Sequence, residues 1–186
     1  MKRIVLLLAL AGCTVAAPSA MAQSDLGLKG LGGAIGFVSP EDFDGTFTIG
    51  VLADHGTITP NIGLESHIDY WSQSESAFGV EASVSDIALG ARGKYYFPVA
   101  HPTIRPFAGA GLGLHFVHAE VTIPAQFGFP EMTTEDSSTK LGLDLGGGMA
   151  MDLNPKTDFL AEMWFGIVED VSTFSLRAGL CFKLGS

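Results

Sequence analysis

Residues 104–120 read Ile-Arg-Pro-Phe-Ala-Gly-Ala-Gly-Leu-Gly-Leu-His-Phe-Val-His-Ala-Glu, and their side chains alternate in character with a period of two. Alanine, leucine and phenylalanine occupy the even positions from 108 to 116, whereas glycine occupies positions 109, 111 and 113. Successive side chains of a β-strand point to opposite faces, so this period predicts a strand and not a helix. One face is apolar and the other almost bare, which suits a barrel wall with lipid outside and a crowded interior.

The composition indicates that part of the surface faces something other than water. Of the 186 residues, 47% are hydrophobic and only 16% are charged, against roughly 25% charged residues in an average soluble domain. Beyond the N-terminal region, no segment has the run of about 18 apolar residues that a transmembrane helix requires, so a membrane crossing would use strands. The net charge of −10 argues against nucleic acid as a partner.

The N-terminus has the pattern of a secretory signal peptide. Lys2 and Arg3 precede an apolar run, and Ala20-Met21-Ala22 forms a small-x-small cleavage site before Gln23. We therefore expect residues 1–22 to be a signal peptide and residues 23–186 to be a single barrel domain. The segment Leu-Ala-Gly-Cys ending at Cys13 is a competing lipoprotein signal, in which Cys13 would become the lipidated N-terminus. Cleavage after Ala22 would leave Cys181 as the only cysteine, so no disulfide is expected.

Alternation and turn residues predict eight strands along the rest of the chain. A turn is expected at Asp54-His55-Gly56, another between Pro98 and Pro102, and a third at Asn154-Pro155-Lys156. A long connection is expected from Val121 to Thr139, because it contains two prolines and a run of small polar residues. The predicted strands are 28–38, 43–53, 59–72, 83–97, 104–120, 140–153, 157–168 and 172–184.

These features predict an all-β fold, an eight-stranded antiparallel up-and-down transmembrane β-barrel in the bacterial outer membrane. The even-numbered connections are predicted to be short periplasmic turns, and the odd-numbered ones more varied, acidic outer loops. A soluble periplasmic barrel, such as a lipocalin-like ligand carrier, is the alternative fold. It would place the apolar face inside and a glycine-rich face in water, for which glycine in a strand is poorly suited.

The chain resembles the small outer-membrane β-barrel domains related to the transmembrane domain of OmpA and to the opacity-type proteins. The resemblance covers Leu28 to Leu184 and is carried by Gly-Ala-Arg-Gly-Lys-Tyr-Tyr-Phe at residues 90–97, by Arg-Pro-Phe-Ala-Gly-Ala-Gly-Leu-Gly at residues 105–113, and by the amphipathic last strand. It implies outer-membrane insertion by the barrel-assembly machinery. Members typically end on an aromatic residue, whereas here Phe182 is followed by four further residues.

The inward-facing positions carry many charges, which we expect to pair and to fill the interior. The glycines of residues 104–120 are expected to make room for Arg92 and Tyr96 on the neighbouring strand. A narrow ion path through the barrel is the functional alternative. The predicted interior charges are Glu65, Asp69, Asp86, Arg92, Lys94, Arg105, Asp144, Asp152, Asp158, Glu162, Arg177 and Lys183.

The histidines are the residues most open to a catalytic interpretation. His67 and Asp69 lie two apart on one strand face, a spacing that suits acid–base catalysis by an outer-membrane lipid-modifying enzyme. The nucleophilic serine of the lipid A deacylases, in a His-x-Ser pair, is replaced here by Asp69. His115 and His118 differ in parity and are not expected to share a metal. We therefore predict no enzyme, no catalytic residues, no cofactor and no metal site.

The sequence thus favours a monomeric outer-membrane protein with a structural or adhesion-like surface role. Its expected partners are outer-membrane lipids and lipopolysaccharide, the assembly machinery, and a surface ligand bound through the loop from Val121 to Thr139. Carboxylates of that loop, namely Glu131, Glu135 and Asp136, are candidates for binding Ca2+ or for bridging to lipopolysaccharide through divalent ions.

Overall fold

The computed structural model describes residues 24–41, 44–77, 80–101, 103–125, 131–169 and 171–185. Among these residues no helix is long and apolar enough to cross a membrane. The strands follow one another around a closed ring in which β8 pairs back to β1, and every neighbouring pair is antiparallel. The predicted eight-stranded barrel is therefore confirmed. The strands are β1 (Asp25–Pro40), β2 (Thr46–Thr59), β3 (Ile62–Ala77), β4 (Val80–Tyr96), β5 (Ile104–Ile123), β6 (Met132–Asn154), β7 (Thr157–Val168) and β8 (Val171–Lys183).

The barrel is apolar on the outside and charged on the inside. Phe47 is 83% exposed and Ile35 is 67% exposed, whereas Lys94 and Trp164, on the inner face, are each only 2% exposed. Each strand alternates between the two faces, so the outer wall is apolar, and the inner face combines charged groups with buried side chains such as Phe107 and Trp164. Because a soluble barrel needs the opposite arrangement, the lipocalin-like alternative is wrong.

Aromatic side chains mark both borders of the apolar outer wall. Phe37 and Phe47 meet edge to face near one border, with ring centroids 6.5 Å apart. Tyr95 and Phe97 do the same near the other border, with centroids 5.2 Å apart. Rings at the two membrane–water interfaces are characteristic of transmembrane β-barrels.

The glycines of β5 lie against the largest side chains of the interior. A Cβ at Gly111 would lie 2.7 Å from Cγ of Arg92, and one at Gly109 would lie 2.8 Å from Cη2 of Trp164. The expectation that the β5 glycines make room for Arg92 is confirmed. Tyr96 instead lies against Gly63 of β3, and the space beside Gly109 is occupied by Trp164 of β7.

The predicted turn at Asp54-His55-Gly56 is wrong, because β2 continues through it to Thr59 and the turn follows at residues 60–61. The register with β3 shifts between Asp54 and Thr57, which marks a β-bulge. Gly56 has a φ of 77°, and its N–H donates to Oδ1 of Asp54 at 2.8 Å. The turn residues seen in the sequence therefore produce a bulge inside the strand.

The predicted long loop from Val121 to Thr139 is also wrong. β5 extends to Ile123 and β6 begins at Met132, so the connection is reduced to residues 124–131. The Thr- and Ser-rich run pairs side by side with β5, with Thr122 Oγ1 3.2 Å from Thr133 Oγ1. β-branched threonines favour strands, and this outweighs the polar composition that suggested a loop.

The two ends of the barrel differ in the height of their hairpins more than in the length of their connections. We call "turn end" the end with connections 60–61, 97–103 and 155–156, where β1 begins and β8 ends. The opposite "hairpin end" has connections 41–45, 78–79, 124–131 and 169–170. Two of these span only two residues, so the expected contrast in loop length fails. Instead, β3 to β6 are 16 to 23 residues long and rise beyond β7 and β8, which have 12 and 13 residues.

Candidate functional site

A buried layer of ion pairs crosses the middle of the barrel. Nζ of Lys94 lies 2.5 Å from Oε2 of Glu65 and 2.6 Å from Oε1 of Glu162. Arg177 donates from Nη2 to Glu162 at 2.8 Å and from Nη1 to both oxygens of Asp69 at 2.6 Å. These side chains come from β3, β4, β7 and β8, so the pairs connect opposite walls of the lumen.

Arg92 forms a second group of contacts beside this layer. Its Nε donates to Oδ2 of Asp144 at 2.9 Å, and its guanidinium carbon lies 4.3 Å from the ring centre of Trp164. The indole N–H of Trp164 donates to Glu162 at 3.1 Å and thereby links the two groups. A guanidinium stacked on an indole and paired with a carboxylate is held in one orientation.

Further charged groups lie toward each end of the lumen. At the turn end, Arg105 donates to Asp158 at 2.7 Å, and Nζ of Lys183 lies 3.1 Å from Asp152 and 2.7 Å from Asp158. Toward the hairpin end, His115 Nδ1 lies 2.7 Å from Oδ2 of Asp86. All of the predicted interior charges are thus brought together in the lumen, as the sequence indicated. The prediction named the charges but not their partners.

The charged layer separates two small cavities. One, of about 30 Å³, lies on the turn-end side between Glu65, Tyr96 and Arg105. The other, of about 40 Å³, lies on the hairpin-end side between Asp69, His115 and other residues. Each volume accommodates only a few water molecules at most. The side chains therefore block the axis of the barrel, as expected for eight strands.

The proposed acid–base pair is a poor catalytic site. His67 Nε2 lies 3.8 Å from Asp69 and 3.6 Å from Asp144, beyond hydrogen-bonding distance, and the His67 side chain is 1% exposed. The His67 ring is therefore enclosed by the side chains of the interior. His115 is lumenal and His118 pairs with Ser137 at 2.8 Å outside the lumen, so the two rings lie on opposite sides of the barrel wall. Among the described residues no cluster has the composition of a metal site.

One polar contact that the sequence reading missed lies on the outer wall. His55 Nε2 is 2.8 Å from Oγ of Ser66, and Ser66 shares the outward parity of Leu64 and Ile68 in β3. His55 likewise shares the outward parity of Val51 and Ala53 in β2, and Ala53 lies opposite Ser66. The contact therefore follows from the register of β2 with β3, which the sequence does not give. Hydrogen bonding reduces the cost of placing two polar groups on an apolar wall.

The hairpin end carries a four-stranded sheet formed by the upper parts of β3 to β6. Serine, threonine and glutamate occupy its outer face, where Ser74, Ser83, Glu120 and Glu135 pair across the four strands. In the described residues, carboxylates surround this end, and Lys140 is the lysine nearest to these groups. The carboxylates are those of Glu41, Asp44, Glu75, Glu81, Glu120, Glu131, Glu135, Asp136 and Glu169.

Comparison with known proteins agrees with this architecture. The sequence model of the family described as "Outer membrane protein beta-barrel domain" matches residues 5–182. The chain belongs to this family. It is accordingly a protein of the bacterial outer membrane, and its apolar outer wall faces the lipid. A search of curated protein sequences found no match.

Solved structures of other outer-membrane barrels have the same fold as this family member. Neisserial surface protein A (NspA) has a TM-score of 0.62 and 16% identity, over 83% of this chain and 96% of that one. A major outer membrane protein from Thermus thermophilus has a TM-score of 0.60 and 14% identity, over 85% and 100%. Ail, the attachment invasion locus protein of Yersinia pestis, has a TM-score of 0.53 and 12% identity, over 85% and 100%. At these identities the likeness concerns the fold alone.

Proposed function

We propose that this outer-membrane barrel is a non-enzymatic surface protein that acts through its hairpin end, in a structural or adhesion-like role. The observation that carries the proposal is the contrast between the two parts of the molecule. The lumen is filled by ion pairs and by Trp164, whereas the hairpin end exposes a broad polar sheet. Transmembrane barrels place their longer segments outside the cell and their short turns in the periplasm.

The negative charge of the hairpin end disfavours anionic ligands and favours cationic ones. A structure of Ail holds the heparin analogue sucrose octasulfate, a polyanion. The carboxylates around the hairpin end of the present barrel would repel such a ligand. We therefore propose a cationic partner for this surface. Attachment to the anionic groups of lipopolysaccharide would require bridging divalent ions.

Export through the inner membrane is proposed from the sequence, and assembly from family membership. Residues 1–22 lie outside the described residues, and their role as a signal peptide stays a prediction. Insertion by the barrel-assembly machinery is proposed from family membership, as is contact with lipopolysaccharide along the outer wall.

Labelling with a membrane-impermeant maleimide tests which end faces the outside. Ser76→Cys places a thiol at the exposed tip of the hairpin end, and Lys156→Cys places one at the turn end. Intact cells should label Ser76→Cys only, and permeabilised cells should label both. The wild-type protein provides the background, because Cys181 is buried. Labelling of Lys156→Cys in intact cells would contradict the proposal.

A binding assay tests the interaction role itself. Cells that display the wild-type protein should adhere to a surface coated with polylysine-like basic peptide more strongly than cells with Glu120→Gln and Glu135→Gln. Folding of both proteins is checked by heat-modifiable migration on gels. Equal adhesion of the two strains would show that the acidic sheet does not bind the basic peptide.

A further inference from the structure

The upper part of β6 has a neighbour on one side only. β6 pairs with β5 without interruption from Met132 opposite Ile123 to Met151 opposite Ile104. Its pairing with β7 begins only at Gly142, opposite Val168. In the described part of the chain, residues 132–139 of β6 therefore form a sheet edge about 25 Å long, at about 3.3 Å per residue.

The backbone direction along this edge follows from one hydrogen bond. The N–H of Asp152 donates to the carbonyl of Thr103 at 2.9 Å, which makes them a hydrogen-bonded pair between β6 and the start of β5. In an antiparallel ladder such pairs recur at every second residue, and the β5–β6 register has no shift. The even-numbered residues of β6 therefore bond to β5. The odd-numbered residues Thr133, Glu135, Ser137 and Thr139 direct their N–H and C=O groups to the unpaired side.

The opposite edge of the same sheet is partly occupied. At the start of β2, Thr46 Oγ1 donates to the carbonyl of Ser72 at 2.9 Å. The N–H of Asp44 also lies 3.3 Å from Oε1 of Glu75. These two contacts occupy the lower part of the free side of β3, whereas no described strand pairs with residues 132–139 of β6 on the side away from β5. In the described part of the chain, the β6 edge is therefore the more open of the two.

The side chains beside the open edge define what an added strand must carry. Glu135 lies on the outer face, opposite Glu120 of β5, and Asp136 lies on the inner face, opposite Ala119. These consecutive residues place negative charge on both faces at the middle of the edge. Serines and threonines flank them. Opposite charges stabilise directly paired positions on neighbouring strands.

We propose that residues 132–139 of β6 bind an extended peptide segment that adds a strand to the sheet and carries two adjacent cationic side chains. Its backbone pairs with Thr133, Glu135, Ser137 and Thr139, and its two cations face Glu135 and Asp136 on opposite sides of the sheet. The inference rests on the proposed function, because the hairpin end must face the outside for such a segment to reach it. Main-chain bonds give affinity in this mode of recognition, and the side chains give selectivity.

Charge favours such a peptide over a second copy of this chain. Pairing two β6 edges would bring the acidic middles of both hairpin ends together, in a protein with a net charge of −10. Like charges on neighbouring strands destabilise the pairing. A cationic strand avoids this cost and neutralises both carboxylates.

The test uses the full barrel in lipid nanodiscs and a fluorescent nine-residue peptide with blocked termini. The peptide alternates threonine and valine around two central lysines. Its matched control has the same side chains but is N-methylated at alternate residues on the pairing side. Anisotropy should show saturable binding of the first peptide and at least tenfold weaker binding of the second. Equal binding of the two peptides would overturn strand addition.

Variants of the edge test the location of the site. Ser137→Pro removes an N–H from the open side without breaking a bond to β5, and should weaken binding at least tenfold. Ser137→Ala, which keeps the N–H, should bind as the wild type does. Glu135→Gln with Asp136→Asn should weaken binding severalfold and reduce its dependence on salt. Unchanged affinity in Ser137→Pro would overturn the proposal.

Two further outcomes separate the β6 site from the surface role and from pairing between two copies of the chain. If Ser76→Cys labels from outside but the peptide does not bind, the surface role stands and the β6 site is wrong. If the wild-type barrel forms dimers that Ser137→Pro abolishes and the peptide does not bind, the edge pairs with a second copy and the peptide proposal is wrong.

Discussion

Arg177 Nη1 lies 2.6 Å from both carboxylate oxygens of Asp69, joining β8 to β3 across the lumen. The two residues are 108 positions apart in the sequence. Arg177 also pairs with Glu162, so its removal leaves the buried Glu162 and the partly buried Asp69 with fewer partners. Interactions of this kind make the interior a specific structure and not a set of interchangeable charges.

Arg177→Met should lower the free energy of unfolding by about 3–5 kcal/mol, the range found when one partner of a buried ion pair is removed. Glu162 remains buried and Asp69 partly buried, and methionine cannot donate to them. Urea titration of the barrel folded in lipid vesicles measures the change. Lys156→Met in the exposed β6–β7 turn is the control, and should change stability by less than about 0.5 kcal/mol. A loss below about 1 kcal/mol in Arg177→Met would show that water replaces the guanidinium.

Gly109→Ala should destabilise the barrel by about 1–3 kcal/mol, the usual cost of overpacking. The new Cβ would lie 2.8 Å from the Trp164 ring and 2.9 Å from the carbonyl of Gly93. The matched control is Gly93→Ala on the outer wall, where the Cβ would meet only the carbonyl of Ala110 at 3.9 Å. The folded fraction on heat-modifiable gels should fall for the first variant and not for the second. Equal folded fractions would show that Trp164 shifts to make room.

Trp164→Ala should raise ion conductance in planar bilayers severalfold over a wild type that forms no steady pore. Among the described residues, Trp164 is the largest fully buried side chain, and it lines the cavity on the hairpin-end side of the charged layer. Its loss opens space along the barrel axis. Phe165→Ala, which removes the neighbouring outward-facing ring, is the control and should leave conductance unchanged. A wild-type protein with a steady open channel would contradict the blocked lumen.

The mature protein should begin at Gln23. The Ala20-Met21-Ala22 site predicts this cleavage, and the mass of the protein extracted from outer membranes measures it. Cys13→Ser should leave that mass unchanged. A mass that corresponds to an acylated N-terminal Cys13 would instead establish a lipoprotein.

The sequence by itself determined the class of fold and the direction of each face. The alternation of residues 104–120 predicted a strand with a bare inner face, and β5 has this form. The inward parity of residues such as Glu65, Arg92 and Glu162 also predicted a charged lumen. Both follow from the period of two, a local property of any strand.

Only the tertiary structure decided which charges pair and where the strands end. Lys94 lies between Glu65 and Glu162 because the closed ring brings β3, β4 and β7 around one space, and sequence separation does not indicate such contacts. Asp54 to Gly56 and residues 132–139 look like a turn and a loop. They form a bulge and a paired strand because the ladder with the neighbouring strands outweighs local preference. The same pairing leaves one side of β6 open, and this edge is visible only once the register with β5 and β7 is known.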